Sequence, residues 1–114
     1  MRNGMVLAAL ALAGFVGGAA SAQETSEGQA LFEANCAVCH GAAAAGSGKG
    51  PPLVHRLYIQ GHHGDESFQR AVAQGIWQHH WRFGEMPPVA GVSREDVEKI
   101  VAYVRKVQRD AGIE

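Results

Sequence analysis

Cys36-Ala37-Val38-Cys39-His40 places two thiols three positions apart and an imidazole directly after the second. Thiols at this spacing can add across the two vinyl groups of a haem, giving thioether bonds that hold the cofactor covalently. The histidine that follows is then brought beneath the porphyrin, where a ring nitrogen can bind the iron. The same cysteines could instead form a disulfide or a redox-active dithiol. Dithiols of that kind sit on a βαβ scaffold, and no strand-rich pattern surrounds Cys36, so haem attachment is the preferred reading.

An iron held by one imidazole has a second axial position to fill. Met86 lies in Phe83-Gly84-Glu85-Met86-Pro87-Pro88, where two prolines stiffen the backbone that carries its thioether. Met1 and Met5 fall in the N-terminal stretch, which leaves Met86 available. Thioether ligation favours ferrous iron and raises the potential, as an electron carrier needs. The competing readings are a methionine that fills core space, and His79 or His80 as the sixth ligand. Gly50-Pro51-Pro52-Leu53 is either an ordinary loop or a proline-locked turn that presents a carbonyl to the other nitrogen of His40.

The remaining histidines are His55 and the pairs His62-His63 and His79-His80. Paired histidines in an exported protein can bind copper or zinc. Adjacent residues point in different directions, however, and no recognisable zinc-site spacing is present, so these side chains are expected at the surface or at a pocket edge. Tyr58, Trp77, Trp81 and Phe83 are expected to pack against the haem ring or the core. Tyr58 and Trp81 offer donors, and Arg56 and Arg82 charges, for a haem propionate; buried aromatics and solvent-facing arginines are the plainer alternative.

Three helices must position these groups. The first is expected from Thr25 or Ser26 to Cys36, with Ser26 as cap and Ala30, Leu31 and Ala34 on one face. The second starts at Asp65 as cap and carries Phe68, Ala71 and Val72 to a stop at Gly75. The third has Ser93 and Asp96 spaced as a capping box, then Val97, Ile100, Val101, Val104 and Val107 at helical spacing, with Gly112 ending it. Gly41 to Pro52 reads as a loop, and Gly84 to Pro88 as a rigid one.

Ahead of these, Arg2, the apolar run Met5 to Phe15 and Ala20-Ser21-Ala22 have the layout of a secretory signal peptide over residues 1–22, with an apolar core short for a membrane span. Cleavage after Ala22 leaves residues 23–114, one small domain of 92 residues with 9 basic and 11 acidic side chains. That balance gives no support to nucleic-acid binding. A chain this short makes a modest core and gains from a cofactor to pack around.

The chain resembles the class I monohaem cytochromes c over essentially all of residues 25–112. The resemblance rests on Gly28 and Phe32 before the first cysteine, the haem pentad, Gly50-Pro51-Pro52-Leu53, Met86-Pro87, and Ile100 with Tyr103 in the last helix. It implies an all-α cytochrome c fold, with three main helices and loops wrapped around one covalently bound haem c. It also implies attachment through Cys36 and Cys39, iron ligands His40 and Met86, and a Pro51 carbonyl facing His40. Gly28 would allow a close crossing of the first and last helices, filled by Phe32, Ile100 and Tyr103. The chain departs from well-known relatives in its histidine-rich middle and in lacking a lysine-rich rim, since its lysines are Lys49, Lys99 and Lys106.

The expected function is a soluble periplasmic one-electron carrier, monomeric and not itself an enzyme. It would meet redox partner proteins transiently and the membrane only through them. The alternatives are a haem sensor or catalytic haem protein with a displaceable methionine, an electron-transfer subunit of a larger oxidoreductase, and a metal-handling protein using the histidine pairs.

Overall fold

The structure, a computed structural model, describes residues 11, 14 and 17–114. Most of the expected signal peptide lies outside these residues. Among them the architecture is all-α: four helices and two short 3-10 turns, with an isolated bridge and no strand.

Helix α1 runs Gly17–Asn35, so it starts well before the expected Thr25 and carries Ser26 in its interior rather than as a cap. The added turns are alanine-rich and exposed, and alanine has the highest intrinsic helix propensity. Only Gly28 and Phe32 of α1 are buried. A one-turn helix α2, Ala37–His40, follows directly and carries Cys39 and His40.

Helix α3, Asp65–Gln74, is capped by Gly64 instead of Asp65. Asp65 and Glu66 lie in its first turn, where their charge complements the positive end of the helix dipole. Helix α4, Arg94–Asp110, has the expected capping box. The Ser93 hydroxyl accepts from the Asp96 amide at 3.0 Å, and the Asp96 carboxylate accepts from the Ser93 amide at 3.0 Å. Its apolar stripe buries Val97, Ile100, Val101, Tyr103 and Val104.

The core forms where α1 crosses α4. A Cβ on Gly28 would stand 2.0 Å from the Lys99 carbonyl oxygen, so only glycine permits this approach. Phe32 and Tyr103 meet across the crossing with ring centroids 5.5 Å apart. Phe32, Ile100, Tyr103 and Val104 join Leu53 and Ala44 in one buried cluster.

Loops carry the rest. Arg56–Tyr58 forms a 3-10 turn, and so does Ala42–Ala44, where Ala43 (φ 52°) and Ala44 (φ 56°) both take left-handed backbone. The Ala44 carbonyl accepts from the amides of Leu53 (2.9 Å) and Val54 (3.2 Å), which ties the proline turn to the core. Farther along, α4 clamps the chain on both sides of Tyr58. Gln108, buried at 2% exposure, donates to the carbonyls of Leu53 (2.9 Å) and Tyr58 (3.0 Å). Arg105 donates to the carbonyls of Tyr58 (2.5 Å) and His63 (2.6 Å) and pairs with Asp65 at 3.0 Å.

Candidate functional site

The proline turn folds back beneath α2. His40 Nδ1 lies 2.9 Å from the Pro51 carbonyl oxygen. A carbonyl only accepts, so Nδ1 carries the proton and Nε2 keeps its lone pair. Burial holds the imidazole below its ordinary pKa, partly opposed by the Pro51 hydrogen bond, which favours the neutral ring a metal requires. The sequence left this turn between an ordinary loop and one presenting a carbonyl acceptor; the structure puts the Pro51 carbonyl on the ring.

Cys36 and Cys39 are both half-buried free thiols. Burial, with Cys39 adding to it, pushes the Cys36 thiol up to about 11. Reactive dithiol motifs work through a lowered thiol pKa, so this environment runs against thiol–disulfide chemistry.

On another wall, α3 ends at Gly75 (φ +75°), whose Cβ position would fall 2.4 Å from the Met86 carbonyl oxygen. This approach lets Ile76 and Met86 exchange two backbone hydrogen bonds, each 2.9 Å, in an antiparallel bridge. The bridge clasps the loop of residues 77–85 and fixes the half-buried Met86 at its base. Val89 donates to the Val72 carbonyl at 2.9 Å, which anchors the chain beyond Pro87 and Pro88.

Between these walls lies a cavity enclosing about 980 Å³, part of it open to solvent. Cys36, His40, Pro51 and Met86 all line it, with apolar surface from Phe32, Leu53, Phe68, Val72, Ile76 and Ile100. The Cys36 thiol, with Cys39 three residues on outside the lining, an imidazole with Nδ1 already engaged, a thioether and an apolar cavity together fit a haem.

Some expected placements differ. Trp77 is 82% exposed and Phe83 38%, so they stand at the cavity mouth and not in the core. The Trp81 indole donates to the Tyr58 hydroxyl at 3.0 Å, so of the two donors expected to serve a propionate the Trp81 N–H is engaged, while Tyr58 acts here as acceptor. Tyr58 is held above its ordinary pKa by burial, with the Trp81 bond opposing. The histidine pairs do lie at the surface and cavity edge, as expected, and the two pairs also meet: the rings of His63 and His80 come within 5.6 Å and those of His62 and His80 within 5.8 Å. Arg105 and Gln108 went unnoticed in the sequence. Their only signal is a polar residue on the buried side of an otherwise apolar helix stripe.

A helical fold with a haem-attachment pentad facing an apolar cavity defines a c-type cytochrome domain. The Cytochrome c family model matches residues 25–108, and the chain belongs to the cytochrome c family. A curated relative is the Cbb3-type cytochrome c oxidase subunit CcoP of Rubrivivax gelatinosus, 36% identical over 84 residues, or 72% of this chain. The matched segment spans 25% of that relative's own length. No solved structure matches the chain. Among the described residues, no helix is long and apolar enough to cross a membrane.

Proposed function

We propose that the chain is a soluble periplasmic c-type cytochrome that carries single electrons between redox partner proteins. Cys36 and Cys39 would hold one haem c through thioether bonds, with His40 and Met86 as axial ligands. When bound, haem supplies a ferric/ferrous couple. The chain's contribution is to hold those ligands still in both oxidation states. The Pro51 carbonyl fixes the tautomer and orientation of His40, and the Ile76–Met86 clasp fixes the backbone that carries the thioether. The apolar lining keeps water away and so disfavours the more charged state. Trp77 and Phe83 at the open mouth offer a small apolar contact suited to a transient partner.

The observation that carries this reading is that His40, already oriented through Nδ1, shares one apolar cavity with Met86. The test is an absorption spectrum of protein exported from a host with c-type haem maturation, taken in both oxidation states. The expected result is a weak far-red sulfur-to-iron charge-transfer band in the oxidised form, lost in Met86→Ala. A covalent haem without that band, binding carbon monoxide readily when reduced, would favour sensing or catalysis. Absence of covalent haem would sink both readings.

The name of the CcoP relative favours a second reading, in which the domain serves as the electron-transfer part of a larger oxidoreductase. Co-purification of the exported protein with a membrane oxidase would support it, and a monodisperse free monomer would support the carrier.

A further inference from the structure

The two histidine pairs sit on different loops. His62 and His63 occupy a turn in which both amides donate to the Ile59 carbonyl, at 3.0 and 2.8 Å. His79 and His80 belong to the loop clasped by Ile76 and Met86. The fold draws these loops together, so that one ligand atom from each of His62, His63 and His80 lies within 4.8 Å of the other two. We propose that His62, His63 and His80 form a binding site for one divalent transition-metal ion of the zinc type, at the rim of the cavity and separate from the iron ligands.

Three observations support the assignment. First, the ligand set is three neutral-capable imidazoles with no carboxylate among them, a donor type suited to zinc, copper and nickel rather than calcium or magnesium. Second, the His63 Nδ1 is engaged by the Leu57 carbonyl, and so its Nε2 retains the lone pair. Metal-bound histidines commonly use this second hydrogen bond to fix ring and tautomer. Third, the site is anchored on one side and adaptable on the other. Arg105 grips the His63 carbonyl at 2.6 Å, while His62 and His80 are exposed. Zinc–nitrogen bonds of about 2.0–2.1 Å in a tetrahedron place donors roughly 3.3 Å apart. Rotation of the two exposed rings supplies the closure of about 1.5 Å at most that this requires.

The sequence argument against a site was that neighbours point apart. That holds within each pair. It does not hold between pairs, since the third ligand comes from a loop 17 positions farther on. The open side leaves a fourth position for water or an added ligand, the arrangement of three-histidine zinc sites.

The test is titration of the holoprotein with Zn²⁺, followed by calorimetry and by metal analysis after desalting. Zinc has no redox chemistry, so the haem absorption spectrum serves as an independent monitor of the iron ligands. The expected result is one Zn²⁺ per chain, with affinity weakened about tenfold or more in His62→Gln and in His80→Gln, on the scale of ligand-shell changes. His55→Gln, which alters a histidine outside the cluster, should retain uptake, and all three variants should keep the parent haem spectrum. Three outcomes would overturn the proposal: no stoichiometric uptake, equal weakening in His55→Gln, or uptake that survives in the His62→Gln/His80→Gln double variant. A change of iron ligation in His80→Gln would assign that imidazole to the haem and overturn it as well. Zinc uptake is read whether or not haem is attached, so its failure is distinct from failure of the carrier reading.

Discussion

At the crossing of α1 and α4, Phe32 and Val104 are fully shut off from solvent and Ile100 nearly so, and helix backbones meet through a glycine. Along the cavity wall from Leu53 to Met86, structure is instead held by a few backbone hydrogen bonds and by polar clamps reaching out of α4. The crossing is stabilised by apolar surface removed from water, and it tolerates little change of shape. The wall is shaped by points of attachment between which side chains remain partly exposed. A binding domain needs both: a rigid frame that fixes the pentad, and a wall that can be furnished for one ligand or another.

Substitutions separate the two regions. The largest effect is expected for Phe32→Ala, which removes a fully buried ring and should cost about 3–5 kcal/mol, read from denaturant unfolding. Gly28→Ala comes next. At an ordinary exposed helix position this change gains about 1 kcal/mol. Here the new methyl would meet the Lys99 backbone, and a loss of about 1–3 kcal/mol is expected. A stabilised Gly28→Ala protein would show that the crossing is looser than described.

On the wall, Gln108→Leu keeps the volume but leaves the Leu53 carbonyl without its side-chain donor and the Tyr58 carbonyl with Arg105 alone. It should cost about 1–3 kcal/mol and raise proteolysis between Leu53 and Asp65. The smallest effect concerns the α4 cap. Ser93→Ala should cost about 1 kcal/mol at neutral pH. The Asp96 carboxyl is held below its ordinary range, chiefly by the Ser93 backbone N–H and then by the Ser93 side chain. A depressed folded-state pKa contributes stability above the unfolded value, about pH 4, and that contribution fades as pH falls through the folded value. The melting-temperature gap between wild type and Asp96→Asn should therefore narrow on acidification below about pH 4.

The frame was legible in the sequence because its signals are local or periodic. The capping box of Ser93 and Asp96, the stripe from Val97 to Val104, and the stop at Gly75 each depend on neighbours within two turns. The placement of Gly28, Phe32, Ile100 and Tyr103 came from family resemblance, and the crossing has that form. The wall was legible only in its stiff parts, Pro51 and Met86-Pro87-Pro88. Which loop faces which depends on contacts across dozens of residues, as when Arg105 fixes the His63 carbonyl. Periodicity carries no trace of such pairings, so the meeting of the histidines, the Trp81–Tyr58 bond and the exposure of Trp77 were not foreseen. The start of α1 was misplaced for another reason: a run of good helix formers continues a helix with no partner to pack on.

The left-handed pair Ala43 and Ala44 bears on which sequences this fold can reach. A Cβ in that conformation costs about 1–2 kcal/mol per residue, whereas glycine loses about 0.5–1 kcal/mol through its freer unfolded chain. The two alanines are not equivalent under that exchange. Ala44 is completely buried in the core cluster, where its methyl has neighbours to lose. Ala43 is exposed and has none in that cluster. A single change, Ala43→Gly, is thus an uphill-free step toward a more stable loop beside His40, while the same change one residue later leads away from it.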